Sequence, residues 1–384
     1  GAGRRLLAIV WHPEHGEPQT VIDSVPGLAG YRYGNGLHLH VAAGKDRQAR
    51  QLALSSEAAL LWVADLAYDH RGLLSHETHH LPGHAASATQ RYAHDADGRL
   101  AAHEGPSGQS TWFAWNGDGS LALGRRAGAT VRPGIPRDAS GLPRSVGDYT
   151  LSYGANRRLA RVSRDGRPVA DYLHNAFGYR IIKRSAMGNV DYFHLDNRLV
   201  AETRHAAGQA PQSAEPGRLR VGRRYLYAQH VPVGFIDYPA HGKGPAVLYA
   251  VHADTIGAPV LVTDARRDIR WSARYGPGGE AQDVRGDLTL DLRLPGQVHD
   301  AETGWHDNLL RTYLPGQGHY LEPDPLGPLP GQQALGYARQ QARRHIDPMG
   351  LLLFAFDGTR QSADTHSNVW KLSQAYGDGP AHYH

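Results

Sequence analysis

Along most of the chain, apolar and polar residues alternate in short runs that Asp, Asn and Gly interrupt. LLAIVW at 6–11 and LHLHVAA at 37–43 read as strands, the second by strict alternation, with HPEHGEP and YGNG as the turns that bound them. From about residue 66 the pattern becomes a repeat. LAYDHRGLL (66–74), RYAHDADGRL (91–100), FAWNGDGSL (113–121), IPRDASGLP (135–143), LSYGANRRL (151–159), YLHNAFGYRI (172–181) and YFHLDNRLV (192–200) recur at intervals of about 20 residues. Each unit has an aromatic or apolar entry strand, an Asp/Asn/Gly turn, and an Arg-Leu or Gly-Leu return strand. The turn residues supply the positive-φ positions that a tight hairpin needs, so each unit is expected to be a β-hairpin. One hairpin cannot bury its apolar face alone; stacked neighbours can, which predicts a mainly β fold in one long sheet wound on itself. Between 202 and 292 the repeat loosens but strand–turn–strand logic persists, and AAGQAPQSAEPG at 206–217 reads as an exposed loop.

Composition supports short strands and many turns: 40% of residues are apolar, with 46 Gly and 24 Pro. There is no Cys, which excludes disulfides and thiolate metal sites. The balance is +4, but no Lys/Arg run reaches five, so we expect no nucleic-acid or membrane-surface binding through charge. No apolar run approaches the roughly 18 residues of a membrane-spanning helix, and the N-terminus lacks a signal-peptide pattern. Export is therefore expected to use a route that reads no N-terminal signal. Gly1-Ala2-Gly3 and the ending AYGDGPAHYH suggest a piece of a longer chain.

Histidine is abundant, and His76-Glu77-Thr78-His79-His80 satisfies the zinc-peptidase pattern H-E-x-x-H. That pattern works on a helix, where positions i and i+4 meet. Here Leu74, His76, Thr78 and His80 alternate as in a strand, and four strand steps put His76 and His80 about 13 Å apart, too far to share one ion. No metal site and no cofactor are expected.

The stretch from Arg293 to Leu351 departs from the repeat and holds one short phrase twice, Asp-Pro-Leu-Gly at 324–327 and Asp-Pro-Met-Gly-Leu at 347–351. It resembles the closing signature of Rhs (YD-repeat) proteins, of the form RLPGQ..D.ETG...N..R.Y.P..G.Y...DP.G. The repeat consensus Y-x-Y/H-D/N-x-x-G-R-L and the passages HADTIGAPVLVTD and WSARYGPGGE carry the same resemblance upstream. The resemblance implies a hollow β-shell: residues 1–60 would form its N-terminal part, 61–292 the YD-repeat wall, 293–351 a closing plug, and 352–384 the truncated start of an α/β toxin domain. It also implies self-cleavage. Two carboxylates within hydrogen-bond reach cannot both ionise freely, so one can activate water while the other polarises a peptide carbonyl. Carried over to this chain, Asp324 and Asp347 become an aspartyl-protease dyad and Leu351–Leu352 the bond cut. The first unit ends in Pro328 where the second has Leu351, and Tyr313-Leu314-Pro315 replaces the family's Tyr-Asp-Pro. Asp-Pro-x-Gly can also be simply a turn.

Beyond this stretch LLLFAF at 351–356 suits a buried strand, and Ser367 or Asn368 can cap a helix bearing Val369, Leu372, Ala375 and Tyr376. FDGT would suit a haloacid-dehalogenase phosphatase, but the nucleophile position is Ala355. Asp357-Gly358-Thr359 followed by Asn368 to Leu372 instead resembles the start of type VI secretion lipase effectors, which places Asp357, Gly358 and Thr359 near an oxyanion region. No G-x-S-x-G nucleophile elbow follows, so this chain cannot itself hydrolyse a lipid, and membrane lipid would be met only through a complete toxin domain. The implied partners are the enclosed C-terminal segment, a secretion spike protein and an immunity protein, with the protein in the bacterial cytoplasm before export. A second reading is a non-enzymatic YD-repeat module that binds carbohydrate or a partner protein.

Overall fold

One hydrogen-bonded turn is used again and again. In the computed structural model Asp95 Oδ1 accepts from the N–H groups of Asp97 and Arg99, while Asp95 N–H donates to Arg99 O and Gly98 N–H to Asp95 O. The same arrangement closes the hairpins at Asp69, Asp138, Asn175, Asp254 and Asp264. It is a three-residue loop whose last residue is left-handed, followed by a bulge. Gly98 has a φ of 80° there, and Arg157 and Arg267 accept 63° and 73° at the equivalent point of their turns. The register shift between Ala93 and His94 is the bulge. A short Asp-x-x-Gly motif thus folds its own turn, and the flanking alternation supplies the strands.

The structure describes residues 8–13, 17–24, 30–81, 87–126, 129–131, 135–208, 221–239, 244–327 and 333–351. Its strands form three antiparallel meanders in which every neighbour in space is the neighbour in sequence. The first has 12 strands, from β1 (Ala8–Trp11) to β12 (Ala129–Val131), and the second has 13, from β13 (Ser145–Val146) to β25 (Ala281–Gly286). The third has four, β26 (Gln297–His299), β27 (His306–Asn308), β28 (Arg311–Leu314) and β29 (His319–Tyr320). The fold is mainly β, as the repeat predicts. The sequence suggests one continuous sheet, whereas the structure splits it in two near residues 132–144. Prolines at 133, 136 and 143 lie in this interval and lack the N–H a ladder needs. The repeat IPRDASGLP keeps its turn but retains only the isolated bridge Arg137–Pro143. The start of an α/β domain expected at 352–384 lies outside the described residues, as does most of the 206–217 loop.

The two large sheets meet through apolar residues. Val21, Leu52, Leu54 and Trp62 of the first pack with Val233, Ile236, Val260 and Leu261 of the second. The closing stretch then lies against both. Trp305, Leu314 and Leu321 pack on Leu151, Leu159 and Tyr172, while Leu335 N–H donates to Asp118 O on the first sheet at 2.8 Å.

Charge fixes the register of this docking. Arg158 and Arg180 follow hairpin turns of the second sheet, and with Lys183 they are buried beneath the third sheet. Arg158 pairs with Asp307 at 2.9 Å and Glu322 at 3.4 Å, Arg180 with Asp300 at 3.1 Å and Asp307 at 3.4 Å, and Lys183 with Asp300 at 3.0 Å and Glu302 at 2.8 Å. Burial pushes the Asp300 carboxyl up, but Arg180 and Lys183 outweigh it and hold it well below the usual range.

Stability should accordingly fall in two stages as pH drops. Burial holds His252, His306 and His174 neutral in the fold, the last two also through neighbouring arginines. Their unfolded counterparts protonate below about pH 6.5, so that contribution is lost as pH falls through this value. Asp300, Asp291 and Glu77, with depressed folded values, contribute above the unfolded carboxylate range and lose that contribution below about pH 4. Glu280, raised to about 7 by burial, works the other way between about pH 4.5 and 7, one group against three histidines. The urea midpoint should fall from pH 7 to pH 5 and fall again by pH 3. A midpoint flat across that range contradicts the assignment.

Candidate functional site

The two Asp-Pro-x-Gly units meet on one arginine. Arg311 opens β28 directly after the two-residue turn at Leu309–Leu310 and has no exposure to solvent. Its Nη2 lies 3.2 Å from Asp324 Oδ2 and 3.1 Å from Asp347 Oδ2, so the carboxylates share a single donor atom. The guanidinium carbon sits 3.7 Å from the centre of the Tyr320 ring, Nη1 donates to Ala334 O at 3.2 Å, and Nε donates to Gly350 O. One cation therefore ties both acidic residues to the backbone immediately before Leu351.

Tyr320 and Asn308 complete the surroundings. Tyr320 Oη donates to Asp347 Oδ2 at 2.6 Å and accepts from Asn308 Nδ2 at 2.6 Å; that same Asn308 nitrogen donates to Asp347 O at 2.8 Å. Burial and then the Asp347 charge push the Tyr320 hydroxyl well above its ordinary value, so it stays a donor. Both units also form the turn that their sequence predicts. Gly327 and Gly350 adopt positive φ, Leu326 N–H donates to Asp324 Oδ1 at 2.9 Å, and Leu351 N–H donates to Asp347 Oδ1 at 2.8 Å. Gly350 is needed for space as well as for φ, since a Cβ there would stand 2.5 Å from Asn308 O.

In chemical terms, a buried cation bridges two carboxylates beside a peptide held by hydrogen bonds at both Gly350 O and Leu351 N. The guanidinium brings its positive charge to both carboxyl groups at once. Such a pair has a carboxylate available to take a proton from water and a guanidinium available to stabilise a developing oxyanion.

Asp324, Asp347 and Leu351 are thus brought together, and Leu351 is buried. Leu352, Asp357, Gly358 and Thr359 lie outside the described residues. Arg311, Tyr320 and Asn308 stand in the closing signature itself, but the sequence alone assigns them no task. A further arginine escapes notice altogether. Arg343, four residues before Asp347, reaches Glu77 of the first sheet at 2.8 Å and Asp254 of the second at 2.9 Å. The H-E-x-x-H residues lie on the strand β7 (Leu74–His80), with Glu77 and His79 buried and His76 and His80 exposed. Among the described residues no group of three or more His, Asp or Glu is arranged to hold a metal ion, and no helix is long and apolar enough to cross a membrane.

No family model matches the chain. It is 29% identical over 227 residues to Toxin protein Tse5 of Pseudomonas aeruginosa, covering 53% of this chain and 17% of that protein. It is 27% identical over 206 residues to Probable deoxyribonuclease RhsB of Dickeya dadantii, covering 53% and 13%. Its relatives include proteins named as toxins and proteins named Rhs. The match thus spans less than a fifth of Tse5 and of RhsB. Among solved structures it superposes on the Photorhabdus luminescens Tc holotoxin pore with a TM-score of 0.72 at 15% identity, over 92% of this chain and 20% of that one. At that identity the likeness shows the fold alone, a mainly β architecture over the part that superposes.

Replacing Arg311 with Met leaves Asp324 and Asp347 buried without their shared cation. We expect a loss of about 3–5 kcal/mol in urea unfolding, together with faster amide exchange at Leu351. A variant as stable as the parent would show that the ion triad contributes nothing to holding the closing stretch.

Proposed function

We propose that this chain is the closing part of a toxin-delivery shell that cuts itself after Leu351. The observation that carries this reading is the meeting of Asp324, Asp347 and the Gly350–Leu351 backbone at Arg311. In the proposed step, a water oxygen attacks the Leu351 carbonyl carbon while one aspartate takes the water proton. Arg311 and the second aspartate, which in this step is protonated and donates its hydrogen toward the carbonyl oxygen, stabilise the developing oxyanion. As the C–N bond breaks, the captured proton passes to the Leu352 nitrogen, leaving a new carboxylate and a new amine. The reaction is a single turnover. Residues 1–60 and 61–292 would be wall, 293–351 the plug that carries the dyad, and 352–384 the first part of the cargo.

The cargo is a separate matter from the shell. Tse5 is named as a toxin and RhsB as a probable deoxyribonuclease, so relatives that share this core bear names with different chemistries. The phospholipase-like cargo proposed here rests on Asp357-Gly358-Thr359 and the Asn368 to Leu372 segment alone. Delivery through type VI secretion in interbacterial competition, with a spike protein and an immunity protein as partners, follows from the resemblance of the closing signature. The non-enzymatic binding module remains the alternative that the cleavage experiment decides against or for.

Asp324→Asn and Asp347→Asn should each leave the full-length chain intact by denaturing mass spectrometry, while the parent shows a break between Leu351 and Leu352. The two effects should not add, because residues acting as one unit lose their function together. A double variant cut at the parent's rate rules the dyad out, and a parent that stays whole favours the binding module. Native size-exclusion chromatography of the cut parent adds a second readout: the C-terminal peptide should co-elute with the shell, whereas free separation contradicts enclosure.

A further inference from the structure

A cavity of about 280 Å³ lies where the first sheet, the second sheet and the closing stretch converge, with Tyr320 between its lining residues Tyr313 and Tyr337 and the Arg311 triad. One wall is the strand β10 (Ser110–Trp115), whose Phe113 and Trp115 rings are parallel, 9° apart in plane with centroids 6.0 Å apart. The opposite wall is the hairpin after β24 (Ile269–Tyr275), which brings Glu280 and Gln282, and the floor is Tyr313 and Gln340 of the closing stretch. No Lys or Arg lines it. Acceptors are in excess: Gln340 is 3% exposed and its Oε1 has no hydrogen-bond partner among the described residues, and Glu280 brings a carboxylate. Glu280 is held in place by Gly278 N–H at 3.0 Å and Gln282 Nε2 at 3.2 Å, neither of which brings positive charge.

We propose that this cavity binds one organic cation of the guanidinium or alkylammonium type, its charge on Glu280 and its planar or alkyl part against Phe113 and Trp115. Anions are disfavoured by a lining with a carboxylate and neither Lys nor Arg. A neutral polar ligand would leave the carboxylate desolvated without a counter-charge, which burial penalises. A cation satisfies the carboxylate and the spare amide oxygen together, and gains from the aromatic faces. Arg343 is the basic group nearest by its influence on Glu280, but its guanidinium is committed to Glu77 and Asp254. The other titratable groups around the carboxylate include His103, bonded to Gln90 Oε1 at 2.9 Å, Tyr92, bonded to Glu77, Tyr313, whose hydroxyl donates to Gly278 O, and Tyr337, whose ring packs 4.5 Å from that of Tyr313. Empty, the site disfavours its own charge, and burial raises the Glu280 carboxyl to about 7. Binding should therefore strengthen as pH rises through neutrality. This inference does not depend on the cleavage reading, and its test uses no cleavage.

The experiment is calorimetric titration of the purified full chain with butylguanidinium and with its neutral isostere butylurea, at pH 8 and pH 6. We expect butylguanidinium to bind at least tenfold more tightly than butylurea at pH 8, and to weaken by about tenfold at pH 6 as Glu280 takes up its proton. Glu280→Gln, with an unchanged melting temperature, should abolish both the preference and the pH dependence, which separates Glu280 from any effect of His103. Phe113→Leu should weaken binding several-fold and serves as the deciding variant should Glu280→Gln not fold. Acetyl-Gly-Arg-Gly-amide in place of butylguanidinium distinguishes sources: tighter binding of the peptide assigns the site to an arginine of a polypeptide, and binding of the free cation alone assigns it to a small molecule. Equal affinity for butylurea, no binding at millimolar concentration, or butylguanidinium binding that survives both substitutions overturns the proposal.

Discussion

A guanidinium with no access to water has to be neutralised where it stands, and Arg311 is such a group. Its charge is met by Asp324 and Asp347, its Nε by Gly350 O and its Nη1 by Ala334 O, so four separate points of the closing stretch converge on one side chain. Buried ion pairs are a poor source of net stability, because desolvation consumes most of the attraction; what they give is a steep penalty for any arrangement that leaves one partner unmatched. An apolar plug of the same size could slide on the sheet beneath it. This one is pinned, because every slip strands a charge. The same logic extends outward through Arg158, Arg180 and Lys183 under the third sheet and through Arg343 between the two large ones.

What the sequence makes legible follows from range. The hairpins are local: an Asp or Asn that accepts from the amides two and four residues on, followed by a left-handed residue, is complete within five positions and can be read from LAYDHRGLL or RYAHDADGRL alone. The division into two sheets is partly local, since prolines interrupt the ladder, but strand pairing across the break is a matter of the whole fold. Asp324 and Asp347 are legible because their phrase occurs twice. Arg311 and Tyr320 are not, since what gives them a role is contact with a segment 27–36 residues later. Arg343 is less legible still, its partner Glu77 lying 266 residues away.

The H-E-x-x-H sequence shows how the same residues change meaning with backbone. On a helix, His76 and His80 would share a face. On β7 the alternation sends Glu77 and His79 inward and His76 and His80 outward. The inward glutamate then accepts from Tyr92 Oη at 2.6 Å and pairs with Arg343, whose positive charge, with His79, holds its carboxyl well below the usual range against the upward push of burial. The motif's glutamate is thus one half of the clasp that binds the closing stretch to the first sheet.

In Asp-Pro-x-Gly the turn and the charge pair use different oxygens. In each unit Oδ1 belongs to the turn, accepting from Leu326 N–H or Leu351 N–H, and Oδ2 belongs to Arg311. The turn therefore does not compete with the charge pair; it aims it. A carboxylate fixed through one oxygen has little freedom to rotate, so its other oxygen is delivered to the guanidinium at low entropic cost. The left-handed glycine that ends each turn then leads the chain away, and at the second unit the next residue is Leu351, whose own N–H is the donor that fixes Asp347. Orienting the acid and positioning the peptide beside it are consequently one event, and neither can be lost without the other.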